Sequence, residues 1–199
     1  MVEEKREKAA QSLMEVLSGV PDPRSTHGRR HPVGAILALA VCAMLCGARS
    51  LYAISQWGRD QDREMAQALG FTRDRTPCVS TLHRVFSRLD RERFEGALGG
   101  WLQQRGLQGP EGIAVDGKTL RGIHGGELPG VHLVAAYAHQ SGIVVGQQAV
   151  REKENELGAI AGLLDQLDLR GRVITGDAQF TQRKVCRQVV GKGGITFSR

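Results

Sequence analysis

Apolar residues recur at helical spacing through the first half of the chain and gather into short runs in the second. Leu13, Val16 and Leu17 share one face of a short amphipathic helix ending near residue 17. Pro21 and Pro23 then break the pattern, because two nearly adjacent prolines cannot continue a helix. A basic loop follows over residues 24–31, with Arg24, Arg29 and Arg30. Pro32 suits the first turn of a second helix, where its missing N–H is not needed. Residues 33–48 are apolar on nearly every side and carry no charge, but the run is shorter than the ~18 residues of a membrane span. A buried core helix is expected there, ended or bent by Gly47. Ser50 caps a third helix that turns Leu51, Ile54 and Trp57 inward. After a loop over residues 70–76 and Pro77, Ser80 or Thr81 opens a helix with Leu82, Val85, Phe86 and Leu89 on one face and His83, Arg84 and Arg88 on the other. Asp90 caps a further helix reaching Leu102, so residues 1–108 are expected to form an all-helical domain.

Beyond Pro110 the pattern changes. Residues 112–116 read as a short buried strand ending at Asp116, and residues 131–139 and 143–150 as two strands joined by the turn Gln140-Ser141-Gly142. Asn155 caps a helix with Leu157, Ile160, Leu163, Leu164 and Leu167 at helical spacing, stopped by Gly171. Residues 172–177 form a fourth strand, again ending in an acid. Residues 181–190 form another helix, and residues 194–197 begin a fifth strand. The order βββαβαβ predicts an α+β or α/β domain with a mixed sheet over residues 109–199.

Composition sharpens this picture at three points. The net charge is +6, with 16 Lys+Arg against 12 Asp+Glu before Glu111 and 11 against 9 from it onward. A basic excess spread over both halves favours a polyanionic partner, and its mostly arginine make-up suits bidentate phosphate contact; a merely charged surface is the alternative. The four cysteines form no CxxC pair. Cys42 and Cys46 fall in the apolar helix, where cysteine behaves as a small buried hydrophobe. All four are expected to be reduced thiols of a cytoplasmic protein. The charged N-terminus does not resemble a secretory signal, and no phosphate-binding glycine loop or nucleophile motif points to a small-molecule enzyme.

The candidate chemistry lies in Asp116 and Asp177, 61 residues apart, each directly after a short apolar run. If the first and fourth strands are parallel neighbours, both carboxylates emerge at one edge of the sheet, where α/β proteins place their sites. Two carboxylates held close call for a divalent cation or a proton between them, and hard oxygen ligands suit Mg²⁺ or Mn²⁺. Asp116-Gly117 is also a common turn dipeptide and Asp177-Ala178 a plausible simple cap, so spacing alone leaves both readings open.

A resemblance adds to this. Ala114-Val115-Asp116-Gly117-Lys118-Thr119-Leu120-Arg121-Gly122 resembles the first-acid motif of the H-repeat-associated insertion-sequence transposases of the DDE class. His132-Leu133-Val134, Gly146-Gln147, Lys153-Glu154-Asn155-Glu156, Thr175-Gly176-Asp177-Ala178 and Thr181-Gln182 follow in the family's order. Upstream, Pro21-Asp22-Pro23-Arg24, Leu45-Cys46-Gly47-Ala48-Arg49-Ser50 and Ser80-Thr81-Leu82-His83-Arg84-Val85 resemble the helical domain before its catalytic core. The resemblance implies an RNase H-like catalytic domain that cuts and joins DNA in transposition, with Asp116 as first and Asp177 as second acid of a two-ion Mg²⁺ or Mn²⁺ site. It further implies double-stranded DNA at element ends as partner, with a homodimer as an assembly to test, and a cytoplasmic, nucleoid-associated location. Lys118 and Arg121 stand where they could contact phosphate beside the scissile bond, and Arg84 and Arg88 where a helix-turn-helix-like element could reach DNA; a solvated loop and an exposed helix face are the plain alternatives.

The family's third acid, a glutamate on a later helix, has no counterpart in these residues, and Glu152, Glu154 and Glu156 are poor substitutes because they precede the second acid. The expectation is therefore a truncated RNase H-like fold, inactive or nearly so by itself, since catalysis by positioning is sensitive to errors of ~1 Å. Two competing readings remain: a DNA-binding module without catalysis that competes for element ends, and an unrelated RNase H-like nuclease.

Overall fold

A computed structural model describes residues 11–107, 109–120, 131–150, 156–177 and 182–198. Two compact units divide it, residues 1–98 and 99–199.

The first unit is built on α1 (Leu13–Ser18), α2 (Val33–Leu45), α3 (Leu51–Arg59), α4 (Arg63–Ala68), α5 (Val79–Phe86) and the first part of α6 (Arg91–Gly106). The uncharged α2 is its core element: Ile36, Leu37, Leu39 and Ala43 are at most 1% exposed, and α1 and α3 pack on it. Local chemistry fixes the helix starts. Ser12 and Glu15 form a reciprocal capping box on α1, Ser50 accepts from Ala53 N–H, Asp62 from Met65 N–H and Asp90 from Arg93 N–H. Gly58 lets α3 approach α2 closely, since a Cβ there would stand 2.9 Å from Leu39 Cδ1. Buried Ser55 donates through Oγ to Pro77 O at 3.1 Å and ties α3 to the segment before α5.

Four expectations are corrected in this unit. The sequence reading passed over α4, whose six residues bury only Ala66 and so show no periodicity. α5 starts at Val79 rather than after Ser80, with Cys78 at its N-cap. It also ends at Phe86, so Arg88 sits in the following turn instead of on the helix face. Cys46 is exposed, because α2 ends at Leu45 and leaves it at the C-cap.

The second unit holds a five-stranded mixed sheet in the order β3-β2-β1-β4-β5, made of β1 (Gly112–Leu120), β2 (Val131–Ala138), β3 (Ile143–Ala149), β4 (Val173–Gly176) and β5 (Ile195–Ser198). β1, β2 and β3 pair antiparallel, while β4 runs parallel to both β1 and β5. The crossovers contain α7 (Glu156–Asp165) and α8 (Arg183–Gly191). One face of the sheet, with Ile113, Val115, Val134, Ala136 and Ile174, packs in one core with Ile160, Leu163 and Leu164 of α7 and Val189 of α8. Buried Glu111 accepts hydrogen bonds from the N–H groups of Gln140 and Ser141, both at 3.1 Å, and holds the β2–β3 turn against the start of β1.

Here too the sequence reading is amended. β1 does not stop at Asp116 but runs four residues further, because β2 pairs with it as far as Leu120↔Val131. α7 ends at Asp165, before Leu167 and Gly171, and buried Leu167 packs from the segment that follows. The expected cap Asn155 and the expected helix start Thr181 lie outside the described residues.

Candidate metal and nucleic-acid site

Asp116 is the fifth residue of β1. Side chains alternate across a strand, so Ile113 and Val115 enter the core while Ala114, Asp116 and Lys118 occupy the opposite face. Asp177 follows β4 without a break and is exposed. β1 and β4 pair in parallel as Gly112↔Val173, Ile113↔Ile174 and Ala114↔Thr175. Each acid stands two residues beyond the last of these pairs, on strands ~4.8 Å apart, so the register carries both toward one level at the carboxyl end of the parallel pair.

The Asp116 side chain is 67% exposed and its Oδ2 lies 3.8 Å from Lys118 Nζ, itself 76% exposed. An ion pair so wet contributes little to stability. What it does is place a cation beside the first acid. Among the described residues no group of three or more His, Cys, Asp or Glu side chains is placed to hold a metal ion. A divalent ion held by Asp116 and Asp177 alone would fill its remaining positions with water or phosphate oxygens, as Mg²⁺ commonly does.

Sequence reasoning missed a second group, on the core-side face behind Asp116. His132 of β2 pairs with Thr119 of β1. Thr119 Oγ1 lies 2.8 Å from His132 Nδ1, and His132 Nε2 is hydrogen-bonded to Glu156 Oε1 at the start of α7. With Glu156 ionised, Nε2–H donates to the carboxylate and Nδ1 accepts from the threonine hydroxyl. Gly117 lies against this chain: a Cβ there would meet Glu156 Oε1 at 3.0 Å and His132 Nε2 at 3.2 Å. The first turn of α7 is thereby tied to the backbone immediately after Asp116. No local spacing signals this, because His132 and Glu156 are 24 residues apart and meet only once the sheet has formed.

The remaining expected contacts are separately placed. Arg121 lies outside the described residues. Arg84, exposed on α5, and Arg88, exposed in the turn after it, belong to the first unit, whereas Asp116, Lys118 and Asp177 belong to the second.

Comparison with known proteins agrees across nearly the whole chain. Residues 14–102 match the family described as DDE_Tnp_1-associated, and residues 107–199 match the family described as transposase DDE domain. An Escherichia coli protein named "Putative transposase YncI" is 34% identical over 92% of this chain and 74% of its own length. The Escherichia coli "H repeat-associated putative transposase YhhI" is 31% identical over 92% of this chain and 49% of its own length. An uncharacterised protein of Xanthobacter autotrophicus is 36% identical over 88% of this chain. The chain spans 60% of that relative and about half the length of several others.

Proposed function

Because the chain belongs to the DDE transposase family and carries that family's associated domain, we propose that it serves DNA transposition through a divalent-metal site built on Asp116 and Asp177. The observation that carries this reading is the parallel Ala114↔Thr175 pairing, two residues before each acid. In this reading the sheet unit is the front portion of an RNase H-like catalytic domain, and its substrate is double-stranded DNA at the element's ends. The bound cation, Mg²⁺ or Mn²⁺, supplies Lewis-acid activation of water or a DNA 3′-hydroxyl and stabilisation of the leaving oxygen. The chain's own residues do the positioning. Asp116 is fixed by β1, which pairs with β2 at Asp116↔Ala135 and with β4 as far as Ala114, and Asp177 by its place after the end of β4. Lys118 offsets carboxylate charge and, with Arg121, lies close enough along the chain to the first acid to meet a phosphate. Thr119, His132 and Glu156 hold the backbone behind Asp116 in place.

Metal binding, which depends on the acid pair itself, is the direct test. Titration with Mn²⁺, followed by the electron paramagnetic resonance of the free ion, should show binding that weakens tenfold or more in Asp116→Asn and in Asp177→Asn. Wild-type affinity in both variants would remove the acids from the site. Mn²⁺-dependent nicking that persists in Asp116→Ala would do the same.

A further inference from the structure

The helical unit contains a cavity of about 850 Å³ whose walls come from three separate stretches of sequence: the loop over residues 24–31, residues 73–76, and the start of α5 with the turn after it. Its volume is within the range of small-molecule pockets, but those are lined mainly by apolar and aromatic side chains. This lining holds seven arginines and no Phe, Tyr, Trp, Leu, Ile or Val.

The arginines divide into two groups. Arg24 and Arg29 are held by Asp22, at 2.7 Å and 3.5 Å, and brace the loop. Arg30, Arg73, Arg75, Arg84 and Arg88 have no carboxylate partner among the described residues. Opposing them in the lining are Asp74, already paired with Arg63 at 3.1 Å, and Cys78. Hydrogen bonds from Ser80 and Thr81 pull the Cys78 thiol down to about 6, so it adds one negative charge at neutral pH. Cations remain in clear excess. Five guanidinium groups around one cavity, with fewer negative groups among them, repel one another, an arrangement that a polyanion would relieve.

One other feature of the wall suits an anion. α5 begins at this wall, and the positive end of its helix dipole adds to the charge of the arginines.

We propose that this cleft is a phosphate-backbone site for double-stranded DNA, located in the helical unit, separate from the acid pair and working without metal. The choice of DNA rests on the transposase reading; the excess of unpaired guanidinium groups does not. Arginine forks match phosphate oxygens bidentately. A single strand finds no Phe, Tyr or Trp to stack on, which favours the duplex. With no Asn or Gln in the lining, the cleft positions the duplex rather than reading its bases.

The test is fluorescence anisotropy of the whole chain with a labelled duplex of mixed sequence, in EDTA, over a range of KCl concentrations. Log affinity should fall against log salt with a slope of about −4.5, as ~0.9 per phosphate gives for five engaged cations. Arg73→Ala/Arg75→Ala and Arg84→Ala/Arg88→Ala should each reduce the slope by about two. Arg59→Ala, on α3 and outside the lining, should leave it unchanged. The four substituted cleft arginines are exposed, and circular dichroism melting should show wild-type folding in each variant. Wild-type slopes in both double variants would overturn the proposal, as would an equal loss in Arg59→Ala or tighter binding of the single strand than of the duplex. Because no metal is present, this outcome is independent of the Mn²⁺ titration: failure of the acid pair leaves the cleft standing, and failure of the cleft leaves the acids untouched.

Discussion

The helical and sheet units differ in where their charged groups gather. In the sheet unit Lys118 lies near Asp116, Arg170 on Asp168 at 3.0 Å, and Arg172 reaches the same aspartate at 3.9 Å. In the helical unit five arginines around one cleft have no carboxylate among the described residues. Burial follows the same division of labour. The helical unit wraps amphipathic helices around the uncharged α2, and its chemistry is spread over a surface. The sheet unit packs α7 and α8 against one face, and Asp116 and Asp177 each follow the parallel pairs of β1 and β4. A surface of many cations tolerates the loss of any one member. The proposed pair of ligands on adjacent strands would not, because each depends on the register of its strand.

Three experiments can break or sharpen this contrast. The largest effect is expected from the cores. Leu39 of α2 and Leu163 of α7 are both fully buried in different clusters, and truncation of either to alanine should destabilise its own unit by about 2–5 kcal/mol. Differential scanning calorimetry should show each substitution lowering one transition and sparing the other. A single transition lowered by both would mean that the two cores melt together.

A methyl group added to glycine gives a smaller contrast. Gly117→Ala forces Glu156 and His132 to give way and should cost about 1–3 kcal/mol, with weakened Mn²⁺ binding at the neighbouring Asp116. Gly96→Ala in α6, where a Cβ meets nothing within 4 Å, should stabilise by about 0.5–1 kcal/mol. Denaturant unfolding checks both. An equal response at the two positions would show that the Thr119–His132–Glu156 chain does not hold the backbone.

The smallest effect lies in acid sensitivity. Burial, then the charges of Arg24, Arg73 and Arg30, lowers the pKa of His31 below 6.5. A histidine kept neutral in this way contributes stability above 6.5, and that contribution falls as the pH drops from 6.5 toward its folded value. Asp168 behaves differently. The Arg170 hydrogen bond holds its carboxyl at about 2, so its contribution is complete above about 4 and is lost only as the pH falls toward 2. Mild acid, from pH 6.5 to 5, should therefore weaken the helical unit through His31 without touching the Asp168 contribution. His31→Gln should abolish that slope in thermal melts, and a slope that persists would place the titration elsewhere. A phosphate in the cleft offsets the same arginine charges, so added duplex should raise the His31 pKa in a proton NMR titration.

Much of this architecture was legible in the residues. The continuous apolar run of α2 announced a buried helix, and Ser50 and Asp90 marked helix starts because capping is local chemistry. Asp116 and Asp177 stood out because each follows a short apolar run, and their parity within the strands then set the face they occupy. What escaped is what only tertiary structure assembles. α4 buries too little for its period to show. The strand past Asp116 depends on its partner β2, and the His132–Glu156 contact on the packing of α7. The cleft arginines come from stretches that taken singly look like ordinary polar loops and one helix face; Arg84 and Arg88 were visible, but their convergence with Arg30, Arg73 and Arg75 was not.

The parallel pairing of β1 with β4 also says which length changes evolution can tolerate between the acids. Insertions or deletions over residues 166–172, between α7 and β4, leave odd and even positions within β4 untouched. A one-residue indel between Ile174 and Asp177 reverses their relative parity, so that with Ile174 kept in the core Asp177 turns to the core side as well. Family members should therefore vary in the number of residues separating their two aspartates while keeping constant the number that separates each aspartate from its nearest core-facing strand residue.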